Sequence, residues 1–103
     1  MEHYSVERTG IPNLDFDGEI IGSSGGSNPC VKIYRTKGLQ YIAQLDANLK
    51  FSKAQHFDKP DGVIAYFRNL AAPSALPQDC ENAIEDAAVR DDGFKTAWNE
   101  HVN

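Results

Sequence analysis

His56, followed at once by Asp58 and Asp61, is the best acid–base cluster in the sequence. Its imidazole, with Arg35 or Lys53 stabilising an anion, would supply the parts of a small metal-independent ribonuclease or toxin-like enzyme. The same residues fall where a strand meets a helix, and Asp58 there is explained as a helix cap. Catalysis by His56, Arg35 and Lys53 is therefore the alternative, not the leading expectation. The run Gly22-Ser23-Ser24-Gly25-Gly26-Ser27-Asn28 invites a second chemistry, since exposed N–H groups on a glycine-rich loop can cradle an anion. It leads through Pro29 into a strand, whereas phosphate loops open a helix, so a flexible connection is expected and a small anionic-ligand binder is the alternative. Ser23 and Ser24 lack the Gly-x-Ser-x-Gly elbow of a hydrolase. His3, His56, His101, Cys30 and Cys80 never fall at metal-ligand spacing, and neither a metal nor another cofactor is expected. Tyr34, Arg35 and Tyr41 sit on adjacent strands. They read as a contact patch, because tyrosine and arginine anchor interfaces, or as ordinary cross-strand pairing on the solvent side of a hairpin.

The elements that must position these groups follow from periodicity. Residues 1–13 show no clear period and carry Gly10 and Pro12, which suggests an irregular or edge segment that pairs only in part. Leu14, Phe16 and Ile20 alternate with Asp15, Asp17 and Glu19, the pattern of a half-buried strand, with Gly18 marking a bulge or close approach. Residues 22–29 read as loop. Val31, Ile33 and Arg35 point to one face of the next strand, and Lys32, Tyr34 and Thr36 to the other. After a turn at Lys37-Gly38, the positions Leu39, Tyr41, Ala43 and Leu45 return as the second arm of a hairpin. Residues 49–57 supply another strand, with Leu49 and Phe51 on one face.

An antiparallel meander of this kind has an apolar side that needs a cover. Asp58 as cap, Pro60 in the first turn and Asp61 against the dipole announce a helix. Val63, Ile64, Phe67 and Leu70 then fall on one face of it. Two prolines mark 71–77 as a connector. Cys80, Ala83, Ile84, Ala87 and Ala88 keep helical spacing beyond it, Asp91-Asp92-Gly93 interrupts, and Phe94, Ala97, Trp98 and His101 give a last short helix. The expectation is one α+β domain over residues 1–103: a four- or five-stranded antiparallel meander at 14–57, one covering amphipathic helix at 58–70, and an acidic helical pair at 77–102.

Charge placement says more than the net value of −5. Residues 1–76 hold eight acids and eight bases, whereas 77–103 hold seven acids against Arg90 and Lys95, so the whole excess lies in the C-terminal quarter. Such a surface repels phosphates. Direct DNA binding is disfavoured, even though two helices across a tight turn suggest a helix-turn-helix. At 41 % hydrophobic and 24 % charged the composition is that of an ordinary globular protein, and no apolar run is long enough to span a bilayer. The polar start lacks the order of a secretory signal, so a cytoplasmic location is expected, with Cys30 and Cys80 as unbridged, half-buried thiols.

Phe16-Asp17-Gly18-Glu19-Ile20-Ile21-Gly22-Ser23-Ser24, Ile33-Tyr34-Arg35-Thr36-Lys37-Gly38 and Tyr41-Ile42 carry a resemblance. Over its first two thirds the chain resembles small uncharacterised bacterial accessory proteins related to the EXLDI group, which often accompany mobile DNA. The resemblance implies a compact strand-rich domain with an accessory role and names no catalytic residue. The leading expectation is a non-enzymatic interaction module, accessory or inhibitory to mobile DNA, that binds a basic protein partner through Glu81, Glu85 and Asp86. Homodimerisation through a sheet edge is compatible with it.

Overall fold

Five antiparallel strands and three helices appear in the computed structural model, which describes residues 2–25, 30–46 and 52–99. Strands β1 (Glu2–Arg8), β2 (Ile11–Ser23), β3 (Val31–Thr36), β4 (Tyr41–Asp46) and β5 (Ser52–Phe57) pair in sequence order as a meander. The sheet curls until β1 touches β5 without pairing to it. Helices α1 (Pro60–Ala71), α2 (Gln78–Arg90) and α3 (Asp92–Asn99) cover one face. The fold is α+β with a C-terminal helical pair, as the patterns imply.

Alternation sorts the core into two clusters. Val31, Ile33, Tyr41 and Ala43 meet Phe67 of α1, Ile84 of α2 and Phe94 of α3 on the helix side. Each large side chain so buried contributes about 1.5–3 kcal/mol before entropy is subtracted. Inside the curl, Val6, Tyr34, Ile42 and Ala54 form a smaller cluster, with Tyr4, Leu14 and Phe16 packed against it. Tyr34 takes the edges of its neighbours, with ring centroids 4.9 Å from Tyr4 and 5.1 Å from Phe16. Arg68 of α1 lies over the Trp98 ring at 5.9 Å and ties α1 to α3.

β2 holds the two clusters together. Its first half pairs with β1 and its second with β3, the exchange falling at Gly18, which pairs with both Glu2 and Thr36. A side chain at Gly18 would meet the Arg35 carbonyl at 2.4 Å, so the strand can bend over the sheet only with hydrogen there.

Several local expectations change. The segment before Leu14 is regular: the sheet begins at Glu2 and β2 at Ile11, because Tyr4 and Val6 pair with Phe16 and Leu14 and complete the inner cluster. Of the two readings for that segment, the edge strand holds. β2 runs on to Ser23, so the loop starts later than Gly22; residues 26–29 lie outside the described residues. Leu39 is not a strand position. Thr36 and Gln40 close a three-residue loop (Thr36 N to Gln40 O, 2.8 Å), whose last position, Leu39, has φ 61° and an exposed side chain. Leu49 and Phe51 also lie outside the described residues, and β5 begins at Ser52.

Asp58 is not the cap of α1. Lys59 occupies that position with extended backbone and no capping side chain, because the residue before Pro60 is kept out of helical conformation. Asp58 instead accepts a hydrogen bond from Gln40 Nε2 at 3.3 Å. Val63, Ile64 and Phe67 are buried as the spacing requires, whereas Leu70, in the last turn of the same face, is exposed.

Candidate functional site

Arg35 is the most engaged of the expected site residues. It leaves β3 on the helix side, where Nη1 donates to Asp91 Oδ2 at 3.0 Å and Nη2 pairs with Glu19 of β2. Hydrogen bonding to Glu19, and then to Asp91, holds the guanidinium charged against the opposing cost of its burial. Its Nε is buried without a partner among the described residues. Tyr41 donates to the same Asp91 carboxylate at 3.0 Å. Asp91 also caps α3, accepting the Phe94 N–H at 3.0 Å, and is only 5 % exposed. One buried carboxylate thus joins β3, β4 and α3. The sequence showed Asp91 only as a break in helical spacing; the Asp-Asp-Gly-Phe pattern is also an N-cap signal, and that reading would have found it.

Tyr34, Arg35 and Tyr41 do not form a solvent-side trio. Tyr34 and Tyr41 are both buried, on opposite faces of the sheet, because β3 and β4 pair Tyr34 with Ile42 and Arg35 with Tyr41. The Tyr34 hydroxyl donates to Gln44 Oε1 at 2.6 Å inside the curl. Burial first, then the charges of Tyr4 and Asp46, push its pKa up to about 12. Burial and the bond to Asp91 do the same to Tyr41, also to about 12. The fold favours both neutral phenols, so their contribution is complete below about pH 10 and is lost as the pH climbs towards their folded values. Alkaline titration followed by phenolate absorbance should show these two of the four tyrosines ionising last, together with unfolding. A single transition of all four centred near pH 10 in the folded protein would contradict their placement.

His56 belongs to the other face. It pairs across β4 with Ile42, beneath which the inner cluster lies, and Nε2 is hydrogen-bonded to Gln40 Oε1. It lines an open cleft of about 450 Å³ with Gln40, Ile42, Leu14 and Phe16. Lys53 pairs with Leu45, a helix-side position, and Arg35 is on that side too. The structure therefore does not bring His56 together with Arg35 or Lys53; the sheet separates them. Period-two alternation within β5 already puts 53 and 56 on opposite faces, and the register adds that 35 shares the face of 53.

The two cysteines are free. Cys80 is buried, which pushes its thiol up to about 11, and Cys30 donates to Asp79 Oδ2 at 3.2 Å, which raises its pKa. Both thiols are held protonated. Among the described residues no group of His, Cys, Asp or Glu is arranged to hold a metal ion, and no helix is long and apolar enough to cross a membrane.

The acidic residues of α2 divide by role. Asp86 accepts the Ser23 N–H at 3.1 Å and pairs with Arg90, so it fastens the helix to β2. Glu81 and Glu85, one turn apart, make no side-chain bond to another described residue. Val89 follows a turn later and is 83 % exposed, the most exposed large apolar side chain among the described residues. Sequence reasoning grouped Asp86 with Glu81 and Glu85 and passed over Val89, whose exposure is visible only once Ile84 and Ala87 are seen facing inward.

The chain matches no family model, no curated protein and no solved structure.

Proposed function

We propose that the chain is a non-enzymatic protein-interaction module, a cytoplasmic accessory or inhibitory protein of mobile DNA related to the EXLDI group, whose α2 binds a basic protein surface. The observation that carries this reading is the Glu81–Glu85–Val89 stripe: two carboxylates with no side-chain partner among the described residues, beside an apolar side chain left in water. An apolar anchor with a charged rim is the anatomy of an interface. The other charged residues singled out as chemical support it by default, since Arg35 is committed to Glu19 and Asp91 and stands across the sheet from His56.

The test is affinity capture at about 0.05 M and about 0.5 M salt, conditions that span weak and strong screening of exposed charges. The partner should be retained at low salt, released at high salt, and lost from a Glu81→Lys/Glu85→Lys variant at both. Glu85 is exposed and Glu81 half-buried without a side-chain partner among the described residues, so the variant should stay within about 1 kcal/mol of the parent. A partner indifferent to salt and to the reversal, or no partner, would count against the reading.

A further inference from the structure

Among the described residues, β2 leaves half of one edge unpaired. From Gly18 to Ser23 that edge bonds to β3, the last link being Lys37 N–H to the Asp17 carbonyl at 2.8 Å. β3 then turns away into the Lys37–Leu39 loop, while β2 extends back to Ile11 with β1 only on its far side. Successive residues of a strand direct their backbone groups to alternate sides. Asp15 therefore presents its N–H and C=O to the same side as Asp17, where no described strand follows, and Leu14 and Phe16 direct theirs to β1.

The space beside this edge is the cleft of about 450 Å³ floored by Leu14, Phe16 and Ile42. Two exposed apolar side chains lie close to its lining residues in sequence, Ile11 at the β1–β2 tip (54 % exposed) and Leu39 between Gly38 and Gln40 (69 %). Leu39 also holds φ 61°, a conformation that costs a leucine about 1–2 kcal/mol, and it gains no buried contact in return.

We infer that this edge takes an extended segment of a partner protein as an added strand in line with β3, antiparallel to β2, with basic and apolar residues alternating. The proposal rests on the chain being a protein-binding module but not on the acidic stripe of α2. Cross-strand chemistry selects the occupant. Residues placed opposite Asp15 and Asp17 share their face of the sheet, so lysine or arginine there is favoured; Asp17 is already approached by His3 at 2.9 Å. Residues of the other parity fall over Leu14, Phe16 and Ile42 and must be apolar. A second copy of this chain pairing through the same edge would set Asp15 and Asp17 against their own counterparts, which like-charge repulsion disfavours. Backbone bonds then give affinity and the alternating side chains give specificity.

The probe is a short capped peptide alternating lysine and valine, added to the isotope-labelled full chain. Amide exchange at Asp15 should slow by about tenfold or more on saturation. Asp15→Pro removes the edge N–H without touching the β1 pairing and should abolish binding with the fold retained. N-methylation of the peptide residues facing β2 should do the same with no change to the protein, whereas methylation of the alternate residues should not. Glu81→Lys/Glu85→Lys should bind the peptide like the parent chain, which separates this site from the α2 stripe. No shift at saturating peptide, shifts confined to α2, indifference to N-methylation, or self-association through this edge would each overturn the proposal.

Discussion

Asp91→Ala is expected to remove about 3–5 kcal/mol of folding stability, a large share of the roughly 5–15 kcal/mol that holds a domain of this size. Three losses coincide at one atom pair. The Phe94 N–H loses its cap, worth about 1 kcal/mol. The Tyr41 hydroxyl is left buried without an acceptor, which costs about 1–3 kcal/mol. Arg35 loses the more buried of its two carboxylates; because its side chain is 28 % exposed and Glu19 remains, this adds only about 1 kcal/mol. Asp91→Asn keeps an acceptor for the hydroxyl and for the cap and should lose much less. Urea denaturation of both variants measures the difference. A loss below about 1 kcal/mol for alanine would show that the carboxylate does not join sheet to helix as described.

Gly22→Ala is the second large effect. A β-carbon there would lie 2.3 Å from the Ala83 carbonyl oxygen, 2.8 Å from the Ala87 nitrogen and 2.9 Å from the Ala87 β-carbon. The obstacle is helix backbone, which cannot rotate aside as a side chain would. α2 must move off β2, loosening the Ser23 N–H to Asp86 bond and the packing of Ile84. Overpacking of this kind costs about 1–3 kcal/mol, and the rigid neighbours place Gly22→Ala at the upper end. Gly38→Ala is the control: its nearest neighbour is the Thr36 hydroxyl at 3.8 Å, and its stability should stay within about 0.5 kcal/mol. Thermal melts that rank the two alike would refute the close approach of helix and strand.

Gly22 also shows how one residue carries different meanings at different levels. Within the Gly22–Asn28 run it read as the start of a flexible loop, since serines and glycines favour bends. Its observed role is that of the smallest possible spacer between a strand and a helix that is 60 residues further along the chain. Nothing local encodes that contact. The separation of His56 from Arg35 and Lys53 has a related cause. Chemical type alone joins His56 to Arg35 and Lys53, whereas register leaves His56 exposed on the face of the inner cluster and sends Arg35 and Lys53 to the helix side.

Local patterns determined most of the architecture. Period-two alternation marked the strands, the Val63–Ile64–Phe67 spacing marked the covering helix, and the small residues from Cys80 to Ala87 marked the helix that packs closest. These signals are short-range because hydrogen bonding and steric preference act between near neighbours. Tertiary structure alone decided which charges stay available. Asp86 and Asp91 are engaged by Ser23, Arg90, Arg35 and Tyr41, while Glu81 and Glu85 make no side-chain bond to another described residue, although all four are carboxylates of one short stretch. It also decided that β2 outruns β3 and has an edge with no described strand beside it. Both outcomes depend on which distant backbone arrives beside a residue, and the free energy of that meeting is written in the pair, not in either partner.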